Sequence, residues 1–300
     1  MKAARVHEFG APLRVDEVAE PVAGDGEVLV RLTFAGVNPI DVRLRDGGAG
    51  RVPLPFVPGC DGVGVVDSRP VVVYGEGVGL RRPGTYAEWV AAPVSAVVPV
   101  PSGVDPAAAA GLGLAGVTAW ALVRGVTAAD RVLVLGASGG VGSLAVRLAA
   151  SAGARVCAQT TSPGLAVDGE VVVCAEDGLR EAVRSFAPTV VLDGLGGAYT
   201  GEAVRAVAEG GRITVFGVSA GSRGEVDYAT LYRKGVTITG HASLSMPAAD
   251  VRAALSDCLA LVADGRVRVL VDEVVPLGEV NTAHQRLLER RATGKLVLAL

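Results

Sequence analysis

One stretch, Val132 to Ala154 (VLVLGASGGVGSLAVRLAASAGA), constrains the fold of this 300-residue chain more than any other. Its opening VLVL is a continuous apolar run, the pattern of a strand buried on both faces, and Gly136, Gly139, Gly140 and Gly142 then interrupt it. From Val141 the apolar residues Val141, Leu144, Ala145, Leu148, Ala149 and Ala152 recur at spacings of three and four, one face of a helix that Gly153 closes. Strand, glycine turn and helix start in this order form a cradle for a dinucleotide. Free backbone N–H groups and the positive helix end face the pyrophosphate, and missing Cβ atoms allow close approach. A tight strand-to-helix connection with no ligand is the plainer alternative, because a lone glycine motif is a weak signal.

The rest of the chain supplies the context. Short apolar runs recur at Arg155–Gln159, Glu170–Cys174, Thr189–Asp193, Arg212–Gly217 and Val236–Gly240, and with Val132–Leu135 they make six strands of a doubly wound parallel sheet. Before them, Glu27–Leu32, Gly62–Val66 and Tyr86–Ala91 read as strands closely punctuated by Pro39, Pro53, Pro55, Pro58 and Gly59, a small β-rich domain rather than βα units. Ala107–Arg124 is helical in propensity, Ala248–Ala263 is an amphipathic helix, and Arg266–Leu300 adds strand, helix and strand that return to the first domain. The fold class is α/β in two domains, 1–116 with 246–300 and 117–245.

With charged residues at 20%, hydrophobic ones at 50% and a net charge of -3, nothing marks a nucleic-acid surface or a disordered tail, and a small-molecule partner is expected. Cys60, Cys157, Cys174 and Cys258 are too scattered for a disulfide framework or a clustered zinc site, which fits a reducing cytoplasm. MKAARVHEFG lacks the apolar core of a signal peptide, and Pro106–Val123, the longest uncharged run, is broken by glycines, so no membrane segment is expected.

GEVLVRLTFAGVNPIDVRLRDG, PFVPGCDGVGVV, GTYAEWV, AGVTAW, DRVLVLGASGGVG, VVLDGLGG, GGRITVFG and TGKLVL stand in the order seen in medium-chain dehydrogenase/reductases, and the whole chain resembles their zinc-free quinone oxidoreductase branch. The resemblance implies a GroES-like β-rich catalytic domain, a Rossmann domain, a cleft between them, NADP(H) as cofactor, and a homodimer through the last Rossmann strand, Val236–Gly240. It implies that Ser138, Gly139, Gly140, Val141 and Leu195 bind the cofactor, that Thr118 holds its nicotinamide end, and that Phe216, Gly217, Val218, Ser219 and Ser243 line the nicotinamide ribose.

Zinc-dependent relatives carry Cys where Asn38 stands and Gly-His-Glu where this chain has Gly59, Cys60 and Asp61, so no metal is expected. His7, His241 and His284 are isolated. An NAD enzyme places Asp or Glu at the end of the second Rossmann strand; here Gln159 is followed by Thr160, Thr161 and Ser162, with no acid before Asp168, so a 2′-phosphate meets three hydroxyls and no repulsion. Because the following helix is compressed to SPGLAVDG and holds no Lys or Arg, charge for the phosphate is expected from Arg223, Arg233 or Lys234, the alternative being a weak affinity for the phosphate.

Asn38, Asp41 and Arg43 are the catalytic candidates, with Asn38 as the amide that stabilises a developing oxyanion, water or Arg43 as the proton or charge source, and Arg43 where the family often has a tyrosine; the plainer alternative makes Asn38 and Asp41 loop caps and Arg43 a solvated side chain. The segment between Val66 and Gly84 is shorter than in the family, which implies a more open cleft. The expected activity is hydride transfer from NADPH to a quinone or an α,β-unsaturated carbonyl. An enoyl-thioester or polyketide tailoring reductase, and a non-enzymatic nucleotide-binding protein like the crystallins derived from this family, are the alternatives.

Overall fold

The computed structural model describes residues 1–50, 52–167 and 169–300, so Asp168 lies outside the described residues. The chain divides into two compact units, Met1–Val117 with Leu244–Leu300, and Thr118–Ser243.

In the second unit the six expected apolar runs form one parallel sheet in the spatial order Glu170–Val173, Arg155–Thr160, Arg131–Leu135, Val190–Asp193, Arg212–Val215, Thr237–Gly240. Leu133, Leu135, Leu192 and Ile213 are fully buried, which explains why the inner strands that carry them read as continuous apolar runs rather than alternating ones, whereas the edge strands Glu170–Val173 and Thr237–Gly240 hold no buried residue. Strand order reverses between Arg131–Leu135 and Val190–Asp193, the point at which sheets of this kind bind ligands at their carboxyl ends. The glycine turn leads from the first of these into the helix Gly140–Ser151, and Gly153, at φ +87, ends it. Among the described residues no helix joins Arg155–Thr160 to Glu170–Val173, as the short SPGLAVDG segment requires.

In the first unit an 11-residue strand, Glu27–Val37, is the hub of a seven-stranded sheet. It pairs antiparallel with Asp61–Val66, with Trp89–Pro93 and with the carboxy-terminal strand Lys295–Ala299. The expected strand Tyr86–Ala91 starts later, at Trp89, because Ala87 makes only an isolated bridge to Ala3. Between Val66 and Arg69 the chain reverses through Asp67 (φ 46) and Ser68 (φ 65) alone, so the short segment after Val66 is a tight hairpin. Ala248–Ala263 is a helix buried along Val251, Ala254, Leu255, Cys258 and Leu259. Among the described residues no helix is long and apolar enough to cross a membrane.

Candidate functional site

Because the six strands are parallel, their last residues and the loops that follow line one edge of the sheet. Ser138, Gly139, Gly140 and Val141 form the turn and helix start there and are half-buried. Gly139 is the N-cap of the 12-residue helix, and no side chain caps it, so the helix keeps the N–H groups that a first turn leaves unpaired, with its dipole behind them. A Cβ built on Gly139 meets only the Gly136 carbonyl oxygen, at 3.4 Å, an ordinary contact. Gly142 differs: its Cβ would lie far inside contact distance of the same oxygen. Room at Gly139 is therefore room for a ligand, whereas Gly142 is required for helix and turn to pack, and a Gly142 substitution damages the fold itself. The uncapped helix end and the open space beside Gly139 fit a dinucleotide pyrophosphate.

The neighbouring loops are built tightly against this turn. Gly136 Cβ would touch Leu195 at 3.0 Å, and Cβ atoms on Gly194 and Gly217 would strike Phe216 at 2.8 Å and the Gly194 carbonyl at 2.6 Å, so Leu195, Phe216 and Gly217 do come together with the turn. Asp193, fully buried, accepts from the N–H groups of Leu195 and Gly196, both at 2.9 Å, and from the Thr200 hydroxyl at 2.6 Å. That carboxylate, absent from the sequence-based candidates, sets the shape of the loop carrying Leu195. Val218 is half-buried and Ser219 is exposed, its hydroxyl on the Gly194 carbonyl at 3.0 Å. Thr118 and Ser243 stand far apart in sequence, yet their hydroxyls are 2.7 Å apart.

The strand end expected to meet the ribose is more divided than the sequence suggests. Thr160 is buried, and its hydroxyl accepts from Ser162 N–H at 3.1 Å, which commits it to the local turn; Thr161 and Ser162 are exposed. Lys234 is not a phosphate-binding charge. Its ammonium donates to the carbonyls of Arg205 at 2.7 Å and Val207 at 2.6 Å, closing the carboxyl end of helix Ala198–Ala206, where cations are favoured by the unpaired carbonyls and the dipole. Arg223 and Arg233 are exposed.

The first unit holds a buried polar cluster around Asn38. The Asn38 Oδ1 accepts from the Lys295 ammonium at 2.6 Å, and its Nδ2 donates to Asp61 Oδ1 at 2.7 Å and to the Cys60 thiol at 3.5 Å. Lys295 also donates to the Val37 carbonyl at 3.1 Å, and the second Asp61 oxygen accepts from Leu114 N–H at 2.7 Å. Asn38 is 1% exposed, Asp61 0% and Lys295 3%. A buried cation and a buried anion are thus joined through one amide, which satisfies the rule that charges leave water only when paired and hydrogen-bonded. Burial and the nearby carboxylates of Asp41 and Asp61 push the Cys60 thiol well above its usual range, away from the thiolate that a metal needs. Among the described residues no three His, Cys, Asp or Glu side chains are grouped to hold a metal ion.

Asp41, 0% exposed, sits on the short helix Pro39–Arg45 and accepts from Asn38 N–H at 2.9 Å, Cys60 N–H at 3.2 Å and the Tyr86 hydroxyl at 3.0 Å. Burial, and then the like charge of Asp61, push its carboxyl up to about 7. The Tyr86 oxygen lies 3.4 Å from Nε2 of His284, which burial pulls down to about 4. Tyr86 and His284 gave no sequence signal, since their partners lie on strands and helices far away in the chain. Arg43 projects from the exposed side of the same helix.

The stretch 24–102 matches the alcohol dehydrogenase GroES-like domain, and 169–298 matches the zinc-binding dehydrogenase family. The solved structure of an NAD-dependent alcohol dehydrogenase superposes with a TM-score of 0.89 at 31% identity over 100% of both chains. The chain belongs to the medium-chain dehydrogenase/reductases. Pig (Sus scrofa) quinone oxidoreductase is 29% identical over 100% of this chain and 98% of its own length. The quinone oxidoreductase of Thermus thermophilus, solved alone and with NADPH, gives a TM-score of 0.87 at 29% identity over 100% of both chains. Bovine (Bos taurus) prostaglandin reductase-3 is 29% identical over 93% of this chain and 83% of its own. The first unit is accordingly the GroES-like domain and the second the Rossmann domain of an oxidoreductase. The zinc-binding name of the 169–298 match says nothing about Asn38, Cys60 and Asp61, which lie outside it.

Proposed function

We propose that this oxidoreductase is NADPH-dependent and zinc-independent and reduces quinones or α,β-unsaturated carbonyl compounds. The observation that carries the reading is the bare amino end of helix Gly140–Ser151 beside open space at Gly139, next to a strand end whose exposed residues are the hydroxyls of Thr161 and Ser162 rather than a carboxylate. The helix end and turn would hold the pyrophosphate, Thr161 and Ser162 the 2′-phosphate, and Leu195, Phe216 to Ser219, Thr118 and Ser243 the nicotinamide half. When bound, NADPH supplies a hydride from C4 of its nicotinamide. Quinone oxidoreductase and prostaglandin reductase relatives along nearly the whole chain support an activated, conjugated acceptor.

The remaining residues would serve the acceptor. Hydride arrival at the electrophilic carbon leaves negative charge on the carbonyl oxygen, which Arg43 or water would meet; Asn38, the expected oxyanion amide, is buried with its oxygen on Lys295 and its amide hydrogens on Asp61 and Cys60, and would instead hold the start of the helix that carries Arg43. Lys295 and Asp61 fix that amide in place. Asp41 positions the Asn38 loop, and exposed Arg43 supplies positive charge. A homodimer through Thr237–Gly240 is part of the proposal: that strand ends the sheet, and Tyr228 and Tyr232 on the preceding helix are 76% and 72% exposed, as an interface core requires. NADPH oxidation at 340 nm with a panel of quinones, enones and enoyl thioesters, in chelator, tests the function. Turnover of quinones or enones is expected; activity restricted to thioesters, dependent on zinc, or absent throughout would overturn it.

A further inference from the structure

We propose that Gln159 is a positioning residue for the cofactor's pyrophosphate, holding the glycine turn at the place from which the helix end reaches the phosphates; this rests on reading Gly136 to Val141 as the phosphate site. Gln159 is fully buried near the end of strand Arg155–Thr160. Its Oε1 accepts from Gly136 N–H at 3.0 Å, its backbone carbonyl accepts from Ala137 N–H at 2.9 Å, and its Nε2 donates to the Cys174 carbonyl at 2.7 Å. One residue therefore pins both N–H groups that open the turn and ties them to the end of the next strand. Gly136 follows the last strand residue, Leu135, so its N–H lies beyond the ladder and is left to a side chain, and its φ of +73 then turns the chain away into the loop.

The pinned peptide is also where the helix rests. The Gly136 carbonyl accepts from Gly139 N–H at 3.1 Å, and Gly142 packs so closely on that oxygen that no Cβ fits. A shift of Gly136 consequently moves the helix amino end and the N–H groups it presents. The same bonds turn the Gln159 side chain inward, so the position at which an NAD enzyme displays its ribose-binding acid displays nothing to the ribose here.

Isothermal titration of NADPH, of 2′-phospho-ADP-ribose and of adenosine 2′-phosphate, which lacks the pyrophosphate, tests the assignment on wild type, Gln159→Met, Gln159→Ala and Gly139→Val. Gln159→Met should raise Kd about tenfold for the two pyrophosphate ligands, the worth of one hydrogen bond of about 1.4 kcal/mol, and change adenosine 2′-phosphate less than twofold. Unchanged Kd values, equal loss for all three ligands, or failure of both Gln159 variants to fold would overturn the inference. If Gly139→Val also binds NADPH as wild type does, the phosphate-site reading fails with it; if Gly139→Val loses NADPH while Gln159→Met keeps it, only the role of Gln159 fails.

Discussion

Replacing Lys295 by Met removes the cation that bonds Asn38 while keeping most of the aliphatic stem, so the cost isolates the ammonium. Two acceptors, Asn38 Oδ1 and the Val37 carbonyl, lose their donor at once, and the buried Asp61 carboxylate loses the charge it is linked to through the amide. Breaking a buried pair by removing one partner costs about 3–5 kcal/mol, and the midpoint of a unit of this size falls about 2–4 °C per kcal/mol. Calorimetry should therefore show the transition of the GroES-like unit about 10 °C lower in Lys295→Met, with that of the Rossmann unit in place. Adding Asp61→Asn removes the stranded anion, so the double variant should recover part of the loss, a coupling of about 1–3 kcal/mol. A Lys295→Met midpoint within about 2 °C of wild type, less than the fall expected for a single kcal/mol, or strictly additive single losses, would refute the idea that the ammonium neutralises this cluster.

Gly139→Val should keep its thermal midpoint and lose NADPH binding, whereas Gly142→Val should fail to fold stably, because only the second Cβ collides with backbone; equal behaviour of the two in a joint melting and titration experiment would contradict this. NADPH should be preferred to NADH roughly tenfold to a hundredfold if two hydroxyls hold the phosphate at about 0.5–1.5 kcal/mol each, and Thr161→Asp should erase or reverse the preference, read as Kd ratios at one salt concentration. Asp41 binds its proton more tightly folded than unfolded, so its stabilisation is full below pH 4 and lost as pH rises to about 7; His284 binds its proton less tightly folded, so its stabilisation is full above pH 6.5 and lost as pH falls toward 4. These slopes oppose each other. Urea midpoints for wild type should change little between pH 4.5 and 7, Asp41→Asn should weaken on acidification and His284→Gln should strengthen, and parallel profiles for all three would show that neither group titrates as described. Thr239→Pro should convert a dimer to a monomer in light scattering, and an unchanged mass would place the interface elsewhere.

The Rossmann unit was legible because its signals are local: buried parallel strands write themselves as short apolar runs, and the glycine turn and Gly153 punctuate the chain at the residues where it bends. The sheet order then follows from the doubly wound pattern. The Asn38 cluster was only half legible. Asn38, Cys60 and Asp61 mark the place where zinc ligands are missing, but Lys295, 257 positions from Asn38, reads in sequence as a basic residue heading an apolar strand. A lysine beside LVLA, in a chain with only three lysines, was the available hint that it is buried with a partner. Lys234 misled in the opposite sense: the carbonyls it closes belong to a helix nearly thirty residues upstream, and backbone acceptors leave no trace in the letters. Gln159 carries a weak sign, an amide inside the buried run RVCAQT, since a polar group there demands partners.

A single-turnover reaction with NADPH deuterated at C4 and a simple enone tests whether hydride goes to the conjugated carbon. Mass spectrometry and NMR of the product should find deuterium on the β-carbon of a saturated ketone, with the yield unaffected by chelator. Deuterium on the carbonyl carbon of an allylic alcohol, the product of an alcohol dehydrogenase, or saturable NADPH binding with no transfer to any acceptor, would contradict it.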